Sequence, residues 1–296
     1  MLSYTAFVEV LGQLYVTDLA KIENQLAYIT VRITTIYSDG SVGFGSGFLF
    51  NFPAGEEKNF VVLFTNKHVI AGSERVLLKF TCSDDNEVPN DDDHFDCNFE
   101  TKKYALLADH PDPEVDLCVI GVGPALNHAL KQNKNPFVKS FAMENIATVE
   151  QRMSMTAVEN VLMIGYPNGL YDSKSNFPII RKGITATPLF LDHEGRPEFV
   201  VDAPCFPGSS GSPIVRYNSG ALMDDGKVTF GTKLSLVGIL YAGPYLKPDG
   251  SFEARHIPTT AVGVDDLKIM INLGYCIHAE KILDFLPIMK KWGAVL

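Results

Sequence analysis

The sequence predicts an all-β fold, and three observations carry that prediction. Short runs rich in β-branched and aromatic residues recur along the chain. Glycine (24) and proline (17) punctuate them at close spacing. The runs fall into two sets, separated by an irregular stretch near residues 126–155. Short strands with turn residues at such spacing suggest barrels or sandwiches. With 296 residues, 46% of them hydrophobic, the chain can build a sizeable core in one large domain or two modest ones.

In chain order, residues 1–25 mix apolar and charged positions, as a short helix or packing arm does. LAYITVRITTIYSDGSVGFGSGFLF alternates as strands do and breaks at SDG, which reads as a hairpin. FVVLFTNKHVI and RVLLKF are further strands, and KKYALLADH and VDLCVIGV follow an acidic stretch. GPALNHALKQNKNPF reads as a helical or irregular connector. The second set comprises TAVENVLMIGYP, PIIRKGITATPLFL, EFVVDAP, SPIVR and LVGILYAG. The tail carries Ile282, Phe285, Leu286 and Met289 at helical spacing, which predicts a terminal helix packed on the second half.

The formal net charge is −10, but eight of the 35 acidic residues lie in 83–100, leaving 27 acids against 25 bases elsewhere. The body is therefore nearly neutral, and the acidity is expected in one solvated insertion. Its DDD run lacks the spaced ligands and turn glycine of a calcium loop. No basic stripe offers itself to phosphates, so nucleic acid is not an expected partner. The N-terminus lacks a basic region followed by an apolar run, and no stretch of about 20 apolar residues exists, so neither a signal peptide nor a membrane span is expected. The five cysteines (82, 97, 118, 205, 276) are odd in number and widely spaced, which fits free thiols in a reducing, cytoplasmic setting. Cys82 and Cys97 are the pair that could bridge in an exported protein. No cofactor and no metal is expected, because no CxxC pair or His/Cys cluster occurs.

FPGSSGSPIV, residues 206–215, sets two serines between glycines. Alone it reads as a polar turn. His68 follows the buried-looking strand VVLF, where a lone histidine is usually structural. Asp116 is a carboxylate embedded in an apolar strand, where burial demands a partner. Together they form an ordered set, His68, Asp116, Ser210, in the order of the chymotrypsin arrangement. Serine is a weak nucleophile until a base takes its proton. Imidazole suits that task near neutrality, and a carboxylate holds the ring in the right tautomer. In Gly208-Ser209-Ser210 the backbone amides of Gly208 and Ser210 can converge on one spot to form an oxyanion hole, each donor worth about 3–4 kcal/mol.

The chain resembles the trypsin-like serine proteases of the chymotrypsin superfamily, nearest to the HtrA-type (Deg) protease domain. The residues that carry the resemblance are TNKHVI at 65–70, VDLCVI at 115–120, IGYPNG at 164–169, DAPCFPGSSGSP at 202–213, LVGILYAG at 236–243 and GYCIHAE at 274–280. The resemblance implies two antiparallel six-stranded β-barrels with a C-terminal helix. Their limits would be an N-terminal arm or helix at 1–25, a barrel at 26–125 holding His68 and Asp116, a connector at 126–155, a barrel at 156–277 holding Ser210, and a helix at 278–296. It implies a serine endopeptidase with a His68–Asp116–Ser210 triad, an oxyanion hole at Gly208, Ser209 and Ser210, and an acyl-enzyme intermediate. The substrate would pair as an extra strand against Tyr241, Ala242 and Gly243. Its primary pocket would be floored near Pro204 and Cys205 beside Phe206, and none of these is charged, so an apolar or small residue is expected there. Ser209 stands where activatable digestive proteases carry an aspartate, so activation by N-terminal clipping is not expected. Ser212 replaces the second glycine of the family motif. Neither the PDZ domain nor the export signal of the well-known HtrA proteins is expected here. The stretches 83–100 and 244–272 are the expected regulatory or partner surfaces, with Glu253, Asp265 and Asp266 within reach of the pocket mouth. The alternative reading is a catalytically silent or partner-gated binding module on a protease fold, since fold alone does not decide activity.

Overall fold

The structure, a computed structural model, describes residues 22–55, 59–84, 87–224, 227–246, 252–257, 269–270 and 272–294. Residues 1–21 of the expected arm 1–25 and much of 244–272, including Asp265 and Asp266, lie outside the described residues.

Two sheets organise the described residues, antiparallel except at one pairing. The first holds β1 (Thr30–Ile36), β2 (Val42–Pro53), β3 (Asn59–Thr65), β4 (Arg75–Ser83), β5 (Pro89–Glu100), β6 (Leu107–Asp109), β7 (Cys118–Gly121) and β8 (Phe141–Ala142). Its order is β5-β4-β1-β2-β3-β7-β6, with β8 beside and parallel to β2. The β1–β2 hairpin turns at the SDG break, pairing Ile36 with Val42. The second sheet holds β9 (Asn160–Gly165), β10 (Ile179–Thr185), β11 (Glu198–Asp202), β12 (Pro213–Asp224), β13 (Lys227–Leu246), β14 (Phe252–His256), β15 (Ile269–Met270) and β16 (Leu273–His278). Six of these close on themselves in the order β12-β9-β10-β11-β16-β13, since β13 also pairs β12, and β14 and β15 extend from the far end of β13.

Alternation along β2 shows how two cores share one strand. Leu49 points into a core with Val31, Ile33, Leu63 and Ile120 inside the first sheet. Phe48, Phe50 and Phe52 point the other way, into a core between the sheets with Phe64, Val215, Ile239 and Phe285. Both faces are buried, which is why GFLFNF reads as a continuous apolar run. A third core, with Val161, Met163, Phe199, Ile214 and Leu240, fills the second barrel. Each fully buried phenylalanine stabilises the fold by roughly 1.5–3 kcal/mol.

Three sequence expectations need correction. The acidic stretch 83–100 is not a loop over most of its length, because residues 89–100 form β5, paired with β4 from Ser83↔Pro89 to Arg75↔Glu100. Pro89, Phe95 and Phe99 face inward while Asn90, Asp92, Asp96, Asn98 and Glu100 face water. Composition hid this period-two pattern, and charge on an edge strand discourages pairing with other chains. Asp116 does not lie in a strand: it stands two residues before β7, with Leu117 between. The C-terminal helix is present but shorter than expected, Leu286–Trp292 with Pro287 at its start, and a 3-10 segment, Ala279–Phe285, leads into it. The connector does carry helices, Gly123–Lys131 and Val149–Met153, the latter capped by Thr148. All five cysteines are free, Cys82 and Cys97 included. No helix among the described residues is long and apolar enough to cross a membrane.

Candidate active site

Register brings the first two groups together. Thr65 of β3 pairs Cys118 of β7, so the residues after one strand lie beside those before the other. His68 rides a four-residue helical turn, Lys67–Ile70, directly after β3. Its backbone amide donates to Asp116 Oδ1 at 3.1 Å, and its Nδ1 lies 2.5 Å from Asp116 Oδ2. The buried Asn66 side chain donates to the Asp116 carbonyl at 2.7 Å, pinning the loop from behind. Burial pushes the Asp116 carboxyl up, but the His68 hydrogen bond and charge, with the His256 ring nearby, hold it below the ordinary carboxylate value.

Ser210 lies in the turn between β11 and β12, and its Oγ is 2.8 Å from His68 Nε2. Ring and hydroxyl come from different sheets, and Ser46 of β2 joins them. Its amide donates to the Ser210 carbonyl at 2.8 Å, its hydroxyl donates to the Gly208 carbonyl at 2.9 Å, and the Tyr166 amide donates to that hydroxyl at 2.9 Å. Two glycines make the turn possible. Gly208 has φ +83°, and a Cβ there would sit 2.6 Å from the Tyr166 carbonyl. Gly211 also has φ +83°, and a Cβ would meet the Ser46 carbonyl at 1.9 Å. Ser212, in place of the second glycine, has its Oγ buried without a partner.

The oxyanion loop divides. Ser209 donates its amide to the Phe206 carbonyl at 2.9 Å, so that amide is engaged within the turn. Among the described residues, the amides of Gly208 and Ser210 have no acceptor. The Ser209 hydroxyl accepts from Arg181 Nη2 at 2.8 Å, turned away from the His68 ring. Arg181 also donates to the Pro204 carbonyl, which places a cation behind the pocket floor, where the sequence showed no charge. Cys205 is fully buried in the second barrel's core, and burial pushes its thiol up to about 12, so it lines the pocket as an inert apolar group. Phe206 stands exposed at the rim.

The substrate edge is occupied by the chain itself. Ala242 and Gly243 pair with His256 and Arg255 of β14, and Ile257 donates its amide to the Tyr241 carbonyl at 3.3 Å. Ser210 Oγ is 3.3 Å from the Ile257 carbonyl oxygen. The His256 ring stacks on His68 with centroids 4.6 Å apart and planes 7° from parallel. Glu253 pairs through its backbone with Tyr245, and its side chain lies outside the described residues. Sequence reasoning thus missed Ser46, Arg181, His256 and Ile257. Only Ser46, in GSG between apolar runs, carried any signal of close backbone approach.

The sequence matches the trypsin-like peptidase domain over residues 45–223. No curated protein matches it. Among solved structures, Deg5 is 15% identical, with 92% of this chain and 93% of that chain covered and a TM-score of 0.48. An inactive form of Rv3671c from M. tuberculosis H37Rv is 16% identical, with 95% of each chain covered and a TM-score of 0.42.

Proposed function

The chain belongs to the trypsin-like peptidase domain family and is a trypsin-like serine protease; from that premise we propose that it is an endopeptidase acting through His68, Asp116 and Ser210. The observation that carries the proposal is the continuous series from Asp116 Oδ2 through the His68 ring to Ser210 Oγ, with contacts of 2.5 and 2.8 Å. Ser210 Oγ attacks the scissile carbonyl carbon while His68 Nε2 takes its proton. The oxyanion so formed is held by the amides of Gly208 and Ser210. The tetrahedral intermediate then collapses to an acyl-enzyme, and the proton on His68 passes to the leaving amine. Water, deprotonated by the same ring, releases the acid and restores the hydroxyl. Asp116 keeps the ring in the tautomer that leaves Nε2 free to accept. The polypeptide substrate pairs in extended form along Tyr241, Ala242 and Gly243. Five free cysteines, four of them buried, support an intracellular setting as part of the same proposal.

A fluorophosphonate probe tests this. Wild-type protein and Ser209→Ala label, and Ser210→Ala does not. Equal labelling of all three overturns the assignment. A second reading, a cleft held shut, is favoured by one observation: Ser210 has no exposed surface.

A further inference from the structure

Substrates of a cleft like this enter as a strand, and the cleft already contains one. Its contacts fix how Phe252–Ile257 lies in it. The strand is antiparallel to β13, with Arg255 opposite Gly243 and His256 opposite Ala242. The next residue, Ile257, bonds by its amide to the Tyr241 carbonyl. Its carbonyl oxygen reaches Ser210 Oγ. Its side chain is fully buried, in the apolar cluster that contains Cys205, Ala203 and Leu240. One residue earlier, His256 covers the face of the His68 ring, and its Nε2 comes within 3.5 Å of Asp116 Oδ2. The strand therefore fills the apolar pocket, covers the base and reaches the nucleophile.

We infer that Phe252–Ile257 is a resident pseudosubstrate, with Ile257 in the specificity pocket, and that the protease takes extended peptides presenting a branched aliphatic residue on the acyl side of the cleaved bond. This rests on the protease reading above. The segment survives its own active site for a reason the sequence supplies: the bond after Ile257 leads to Pro258. A proline on the leaving side brings a ring nitrogen with fixed φ and no N–H. The leaving group is then a secondary amine whose ring crowds the path along which imidazole must deliver its proton. The resident strand is a competitor tethered in the same chain, so a free peptide binds only in the fraction of molecules whose strand has lifted.

Two variants test it, both with the full-length chain and intact-mass detection. Ile257→Asp puts a charge into the apolar cluster that holds Ala203, Cys205 and Leu240. It is expected to label with fluorophosphonate at least tenfold faster than wild type, and to cleave fluorogenic peptides ending in Ile or Val in preference to those ending in Lys, Arg or Asp. Pro258→Ala turns the strand into an ordinary substrate. It is expected to yield two fragments separated between residues 257 and 258, and the double variant with Ser210→Ala is expected to stay whole. An Ile257→Asp protein that is folded by circular dichroism and labels no faster than wild type overturns the inference. So does a Pro258→Ala chain that labels yet remains uncut. In both of those outcomes wild type still labels, and the protease reading stands. If neither wild type nor either variant labels, the protease reading itself has failed and the inference with it.

Discussion

At the scale of single residues, Ser46 shows how a side chain without chemistry of its own can decide whether chemistry happens. Its hydroxyl is both donor and acceptor between Gly208 and Tyr166, all of it buried. Ser46→Ala leaves a buried carbonyl and a buried amide unpaired, at a cost of about 1–3 kcal/mol. The expected outcome is a lower melting temperature together with slower fluorophosphonate labelling, because the nucleophile turn loses its tie to β2. Restoration by Ser46→Thr is not expected, since the site is closed on all sides: the Cβ positions of Gly165 and Gly211 would already clash there. Thermal unfolding and labelling rates measured on the same preparation check both. His68, Asp116 and Ser210 were legible because their chemistry restricts residue type and chain order. Ser46 was not, because its role depends on a contact 162 residues away with Gly208. Arg181 was hidden for the same reason: its guanidinium meets a carbonyl and a hydroxyl more than 20 residues on.

Among the elements, hydrophobic period revealed the strands of both sheets and the SDG hairpin. Where charge and period disagreed, charge misled, and β5 was taken for a loop although its inward residues alternate. The junction of the helix Val149–Met153 with the 3-10 segment Ala279–Phe285 was equally invisible, since it depends on one long-range ion pair. Arg152 Nη2 lies 2.8 Å from both carboxylate oxygens of Glu280, and Arg152 is 7% exposed. Glu280→Ala leaves a guanidinium buried without its counter-charge and is expected to destabilise the fold by about 3 kcal/mol, with Glu280→Gln losing less. Urea unfolding of the two variants beside wild type measures the difference.

For the whole molecule, acid is the stress the fold is least equipped to meet. His278 is fully buried beside Arg152. Burial, with the charges of Arg152 and Lys281, lowers its pKa to about 3. The unfolded chain binds a proton at this position below about pH 6.5, whereas the folded chain does not until far lower, so stability is lost as pH falls through that window. Between about pH 7.5 and 5 this one ring removes roughly 2 kcal/mol. Asp116 adds its own loss only further down, as its depressed carboxyl is forced to protonate. Denaturant titrations across that range, for wild type and His278→Asn, are expected to show a flatter dependence in the variant.

The tie between the Ser46 amide and the Ser210 carbonyl has one more result. A ribosome delivers the base and its carboxylate long before the nucleophile, and the turn that carries the nucleophile reaches β2 only after both have been made. An emerging polypeptide therefore has no cutting power while its neighbours are still unfolded and vulnerable. The segment that covers the groove is translated within fifty residues of the nucleophile, so the blade and its sheath reach the finished protein almost together.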